Sequence, residues 1–228
     1  MAGGVQRTVL CFGDSNTYGQ TSADRPASRF GPTERWPGVM RAALGPHWMV
    51  IEEGLSGRTT VHPDPIEGAW LNGRAYLTPC VLSHRPLDVI ILMLGTNDLK
   101  ARFHSPSNEI ATGMRVLIED IRRLDAGPGG AMPEVILVSP PPVRRDLRGW
   151  EPVFEGAYDK SRELAAAYES VADLTEVHYF DAGSVARSAE VDGFHLDQDS
   201  HAALGEAMAE QVRQIGWPET HAAAVLAR

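Results

Sequence analysis

Apolar residues in this chain gather into five short runs separated by longer mixed stretches. The runs are Thr8–Phe12, Trp48–Glu52, Val89–Leu94, Val135–Ser139 and Val177–Phe180. Each is short and largely apolar, the pattern of a strand covered on both faces in a parallel sheet. The stretches between them predict helices around Trp36–Leu44, Ala75–His84, Asn108–Leu124, Gly156–Asp173 and Gln198–Ile215. In the third of these, Ile110, Met114, Leu117, Ile118 and Ile121 fall on one face at spacings of three and four. Strand and helix alternate five times, so the fold class expected is α/β, a three-layer α/β/α sandwich with right-handed crossovers. Gly127–Gly130 reads as a surface turn because the alternation continues across it, and residues 1–228 are expected to form one domain.

Open parallel sheets bind ligands beyond the carboxyl ends of their strands. The polar clusters of this chain fall there. Asp14-Ser15-Asn16 follows the first strand, Gly54 to Thr60 the second, Gly95-Thr96-Asn97-Asp98 the third, and Pro140 to Pro142 the fourth. After the fifth comes Asp192-Gly193-Phe194-His195, just before the last helix. One rim therefore collects every unusual polar segment.

Composition narrows the function classes. The 228 residues carry a net charge of −9, which disfavours a nucleic-acid partner, since phosphate binding needs a basic face. The longest aliphatic run, Val89 to Leu94, is too short to span a bilayer, and no membrane partner is expected. The first strand begins near residue 8, leaving no room for the apolar segment of a signal peptide. Cys11 and Cys80 both lie in apolar surroundings and read as free thiols, so the expected location is the cytoplasm.

The rim residues suit acyl chemistry. A serine at the tip of a strand, entering a helix, has outward backbone N–H groups beside its hydroxyl. The hydroxyl needs a base, and His195 is the candidate, with Asp192 three residues earlier and Gly193 allowing a tight turn. A carboxylate so placed accepts the Nδ1 proton and leaves Nε2 facing the nucleophile. An oxyanion needs donors, and the Ser15 N–H, the Gly57 N–H and the Asn97 amide are at hand. Taken singly, each has a plainer reading: a turn at Gly57, an Asx-turn or cap at Asn97, a loop histidine at 195.

These segments resemble the four blocks of the SGNH hydrolases, also called GDSL-type esterases and lipases. Gly13-Asp14-Ser15 matches the first block, Gly57 the second, Gly95-Thr96-Asn97-Asp98 the third and Asp192-Gly193-Phe194-His195 the fourth. The resemblance implies a flavodoxin-like, five-stranded parallel sheet with Ser15 as nucleophile, His195 as general base and acid, and Asp192 as its orienter. It further implies an oxyanion hole of Ser15, Gly57 and Asn97, and no cofactor or metal. Glu53 to Thr60, Pro86-Leu87-Asp88 and Phe180 to Val185 look like the bacterial arylesterase and acyltransferase branch. That likeness implies short acyl esters, acetates above all, as substrates, transfer to alcohols as a second reaction, and a homo-oligomer that can reach an octamer.

Loops 20–33, 61–72 and 140–154 are expected to wall the substrate, bringing Phe30, Trp70, Trp150 and Phe154. Asp14, Tyr18, Leu99 and Phe194 lie next to the motifs and are expected at the same wall. Trp70, Trp150 and Phe154 equally suit a subunit contact, where aromatics are enriched. Two rival functions stand beside the esterase: a non-catalytic flavodoxin-like nucleotide- or phosphate-binding module, and a metal-dependent phosphatase using Asp14, Asp98 and Asp192. The sequence has neither a Gly-rich phosphate loop with lysine nor a Gly-x-Ser-x-Gly elbow.

Overall fold

The computed structural model describes residues 6–25 and 28–217. Its centre is a sheet of five parallel strands in the order β2-β1-β3-β4-β5. These are β1 (Arg7–Gly13), β2 (Trp48–Gly54), β3 (Val89–Met93), β4 (Glu134–Ser139) and β5 (His178–Asp181). Six helices accompany them: α1 (Ser15–Tyr18), α2 (Trp36–Leu44), α3 (Gly73–His84), α4 (Ser107–Arg122), α5 (Ala157–Thr175) and α6 (Gln198–Gln214). The expected flavodoxin-like α/β/α sandwich is the observed one.

The apolar runs work as two-sided strands. Successive side chains point to opposite faces, so Leu10, Phe12, Ile90, Leu92, Val135 and Leu137 pack toward α3, α4 and α5. Their neighbours Val9, Cys11, Val89, Ile91, Ile136 and Val138 pack toward α2 and α6. Both faces are dry, which is why these runs do not alternate with polar residues. Each fully buried side chain of this kind contributes roughly 1.5–3 kcal/mol. The edge strands β2 and β5 are the exceptions, with Met49 and His178 exposed.

Element boundaries shifted by a few residues from the sequence expectation. The third helix begins at Gly73 because Asn72 caps it, its Oδ1 accepting the Ala75 N–H at 3.3 Å. Pro79 sits inside that helix. The short α1 is the helix expected at the serine on the strand tip, and its four residues are too few to show a hydrophobic period.

Strands β1 and β3 are adjacent, while the chain leaves β1 to reach β2 on its other side. A reversal of this kind opens a crevice at the strands' carboxyl ends. The segments after β1 and β3 meet there.

One buried histidine makes the fold acid-sensitive. His201, on α6, is fully buried and its Nδ1 accepts the Trp36 N–H at 3.2 Å. Burial is the main cause that lowers its pKa from 6.5 to about 4, assisted by the nearby His195 and Arg35 and opposed by Asp197. Because the unfolded chain takes up this proton first, the contribution is complete above pH 6.5 and is lost as pH falls toward 4. It amounts to about 3 kcal/mol. His201→Asn keeps an acceptor for Trp36 without the titration. Urea midpoints at pH 7 and pH 4.5 should therefore diverge less in this variant than in the parent, and equal divergence would disprove the assignment.

Candidate active site

The turn carrying Ser15 is shaped by two glycines at matched ends of β1 and β2, Gly13 and Gly54. A Cβ on Gly13 would lie 2.0 Å from Thr17 Oγ1, and one on Gly54 would lie 2.1 Å from the Tyr18 backbone nitrogen. Helix α1 can settle onto the strand ends only because both side chains are missing. Asp14 then caps it, Oδ1 accepting the Asn16 N–H at 2.9 Å. Burial pushes the Asp14 carboxyl up to about 6, with Asp98 adding to the rise and the Asn16 N–H, His195 and Arg58 opposing it.

On the far side of the crevice, Asp192 and His195 form a compact turn. His195 Nδ1 lies 2.7 Å from Asp192 Oδ2, and Asp192 Oδ1 accepts the N–H groups of Phe194 (3.1 Å) and His195 (3.0 Å). Asp192 Oδ2 also accepts the Ala23 N–H at 2.8 Å, from the loop after α1. Gly193 makes the turn possible at φ +87°, where a Cβ would also sit 2.6 Å from the Asp146 carbonyl. Burial raises the Asp192 carboxyl, but the His195 hydrogen bond and charge and the two backbone donors outweigh it, holding the group below the usual carboxylate range. Both side chains of the pair are almost fully buried, with His195 at the edge of the cleft.

Arg58 fixes the segment after β2. Its guanidinium donates to the carbonyls of Gly13 (2.8 Å) and Glu53 and stacks over Phe12 at 4.2 Å. Asn97 Nδ2 donates to the Arg58 carbonyl at 3.1 Å. An amide nitrogen carries two hydrogens, so one remains for a ligand. Asp98 beside it accepts the Thr60 N–H and hydroxyl, and burial raises its pKa despite them.

Ser15, Gly57, Asn97 and His195 line one cleft of about 480 Å³. Among the described residues no hydrogen bond joins the Ser15 hydroxyl to the imidazole. Such contacts often tighten only when substrate binds. Phe154 and Phe194 pack with tilted rings 4.8 Å apart and Trp150 meets Phe194 edge-on at 6.0 Å, forming an apolar wall that ends on the His195 ring. Trp70 stands at the cleft with 71% of its surface exposed.

Four residues expected at the wall lie elsewhere. Asp14 is consumed by the cap, Leu99 is buried in the core beside α3 to α5, and Tyr18 lies beneath the Arg29 guanidinium at 4.1 Å. Phe30 packs edge-on against His201. Conversely, Gln20, Glu67 and Lys100 line the cleft and were not singled out in the sequence. Lys100 Nζ lies 2.8 Å from both Glu67 carboxylate oxygens, while Arg102 pairs with Asp64 at 2.9 Å and also with Glu67. Their places were readable, two residues past Asn97-Asp98 and within loop 61–72, but their pairing across 33 residues was not.

For a metal, the described residues offer one cluster, Glu53, Cys80 and His84, whose ligand atoms lie within 4.8 Å of one another. None of the three lines the cleft. Glu53 and His84 already hydrogen-bond at 3.0 Å, and burial, reinforced by Glu53, pushes the Cys80 thiol up to about 12.

The family model for GDSL-like lipases and acylhydrolases matches residues 11–203, from β1 into α6. The chain belongs to that family. Solved structures agree with this GDSL-like assignment. A carbohydrate acetylesterase from Sinorhizobium meliloti is 42% identical, with a TM-score of 0.87 over 91% of this chain and 99% of that one. An aryl esterase from M. smegmatis is 44% identical, with a TM-score of 0.86 over 91% and 98%. A carbohydrate acetylesterase family member from Sinorhizobium meliloti is 37% identical, with a TM-score of 0.85 over 91% and 98%. A search of curated proteins gave no match. No helix among the described residues is long and apolar enough to cross a membrane.

Proposed function

We propose that this GDSL-like hydrolase is a serine esterase for short acyl esters, acetates first, working through an acyl-enzyme on Ser15. The observation that carries the reading is the buried Asp192–His195 pair opening on the same cleft as Ser15. His195 Nε2 takes the Ser15 proton as Oγ adds to the ester carbonyl carbon. The oxyanion is received by the N–H groups of Ser15 and Gly57 and the second Asn97 amide hydrogen. The imidazolium then gives its proton to the leaving alkoxide, and water, activated by the same ring, releases the acid. Asp192 keeps Nδ1 protonated throughout and offsets the charge that the ring acquires.

The apolar wall of Trp150, Phe154 and Phe194 supports an aryl or other weakly polar leaving group, in line with the aryl esterase among its structural relatives. An acetylated carbohydrate, named for the relatives from Sinorhizobium meliloti, fits the exposed Trp70 and the Glu67 carboxylate at the same cleft. Acyl transfer to an alcohol belongs to this reading as the alternative second half-reaction. A homo-oligomer covering Trp70 would favour it by limiting water. The phosphate-binding alternative has no such support, because Lys100 is already paired with Glu67.

A p-nitrophenyl alkylphosphonate tests the proposal directly. It should leave one covalent adduct per chain, on Ser15, with release of one p-nitrophenolate, and His195→Ala should slow the labelling by roughly 10²–10⁴-fold. An adduct on another residue, or none, would refute the assignment.

A further inference from the structure

Apart from the residues given chemical roles, one side chain joins the two halves of the site. Asn16 is buried and follows Ser15 directly. Its Nδ2 donates to the Phe194 carbonyl at 3.2 Å, and its Oδ1 accepts the Leu196 N–H at 2.9 Å. Those two groups lie on either side of His195. The carboxamide thus pairs with the His195 backbone as a neighbouring peptide would, with one bond given and one received.

We infer that Asn16 is a positioning residue that sets the reach of the His195 imidazole to Ser15. This inference rests on the esterase reading. The contacts of Asp192 with Phe194 and His195 fix the turn internally, and its bond from the Ala23 N–H reaches only the loop after α1, not the residues beside Ser15. Asn16, the immediate neighbour of Ser15 and with its own N–H held by Asp14, ties that turn to the start of α1. No other residue type of this size supplies both bonds at neutral pH. Leucine fills the space and leaves two buried backbone groups unpaired, and an ionised aspartate sets an oxygen against the Phe194 carbonyl.

Asn16→Leu and Asn16→Asp decide the matter, with Thr17→Val as the control on the same turn. The Thr17 hydroxyl is buried without a partner, so its loss should leave kinetics unchanged. For folded Asn16 variants assayed with p-nitrophenyl acetate, kcat should fall about 100-fold, the size expected for a misplacement near 1 Å, while KM changes less than about threefold. The downfield His195 Nδ1 proton resonance should persist, because the Asp192 pair is local. Unchanged kcat, a loss confined to KM, or disappearance of that resonance would overturn the proposal. Should neither variant fold, exchange of the Leu196 amide in the parent decides. Strong protection supports the bracket, and free exchange removes it. Turnover surviving in Ser15→Ala would sink the esterase reading itself, whereas an inactive Ser15→Ala beside a fully active Asn16→Leu sinks only this inference.

Discussion

Ser15→Ala is expected to lower kcat/KM for p-nitrophenyl acetate by roughly 10⁴–10⁶-fold without changing the melting temperature appreciably. The size follows from the role, since losing the attacking atom removes covalent catalysis and leaves only the oxyanion donors and binding. The unchanged stability follows from the fold. The Ser15 carbonyl accepts the N–H groups of Gly19 and Gln20, and its own side chain anchors nothing. Helix α1 is capped by Asp14 and seated on Gly13 and Gly54, none of which the substitution touches. Although Ser15 is buried, removing a hydroxyl that holds no protein partner leaves no buried group newly unpaired. Residual turnover within tenfold of the parent, in a variant with an identical melting curve, would remove Ser15 from the mechanism.

Asp192→Asn should cost roughly 10⁴-fold in kcat at neutral pH, through the tautomer rather than the charge alone. Asp192 Oδ2 receives both the His195 Nδ1 hydrogen and the Ala23 N–H. An amide nitrogen in that position would point hydrogens at two donors. Turning the amide over would instead confront the N–H groups of Phe194 and His195. In the first pose, which keeps an acceptor for the Phe194 and His195 N–H groups, the ring is driven to carry its proton on Nε2, where it cannot accept from serine. Because the carboxyl is held below its usual range, the parent should keep this pair as pH falls through 5, and its stabilisation should fade only at lower pH. A variant retaining a tenth or more of parental kcat would show that the carboxylate does not orient the base.

The fold was readable because hydrophobicity in β1, β3 and β4 runs continuously, and only a strand covered on both faces requires that. The rim was readable for a related reason, since β-strand ends in a parallel sheet point one way and the polar segments after them must share an edge. What the pattern could not show was direction of side chains over a few ångströms. Asp14 stands beside the serine in sequence, yet its carboxylate turns back to cap α1. Leu99 follows Asn97-Asp98 closely, yet a 3₁₀ turn over Asn97–Leu99 sends it into the core. The Lys100–Glu67 pair and the Asn16 bracket depend on segments that approach only after folding.

Strand β1 is central in the sheet and comes early in the chain, whereas the His195 turn leads into α6, the final helix described. During synthesis Ser15 therefore leaves the ribosome long before His195, its proposed base. Under the proposed mechanism, a nascent chain ending before residue 195 lacks the base, so activity requires synthesis past that turn. The same geometry makes activity a faithful gauge of proteolytic nicking anywhere between the two turns that separates them.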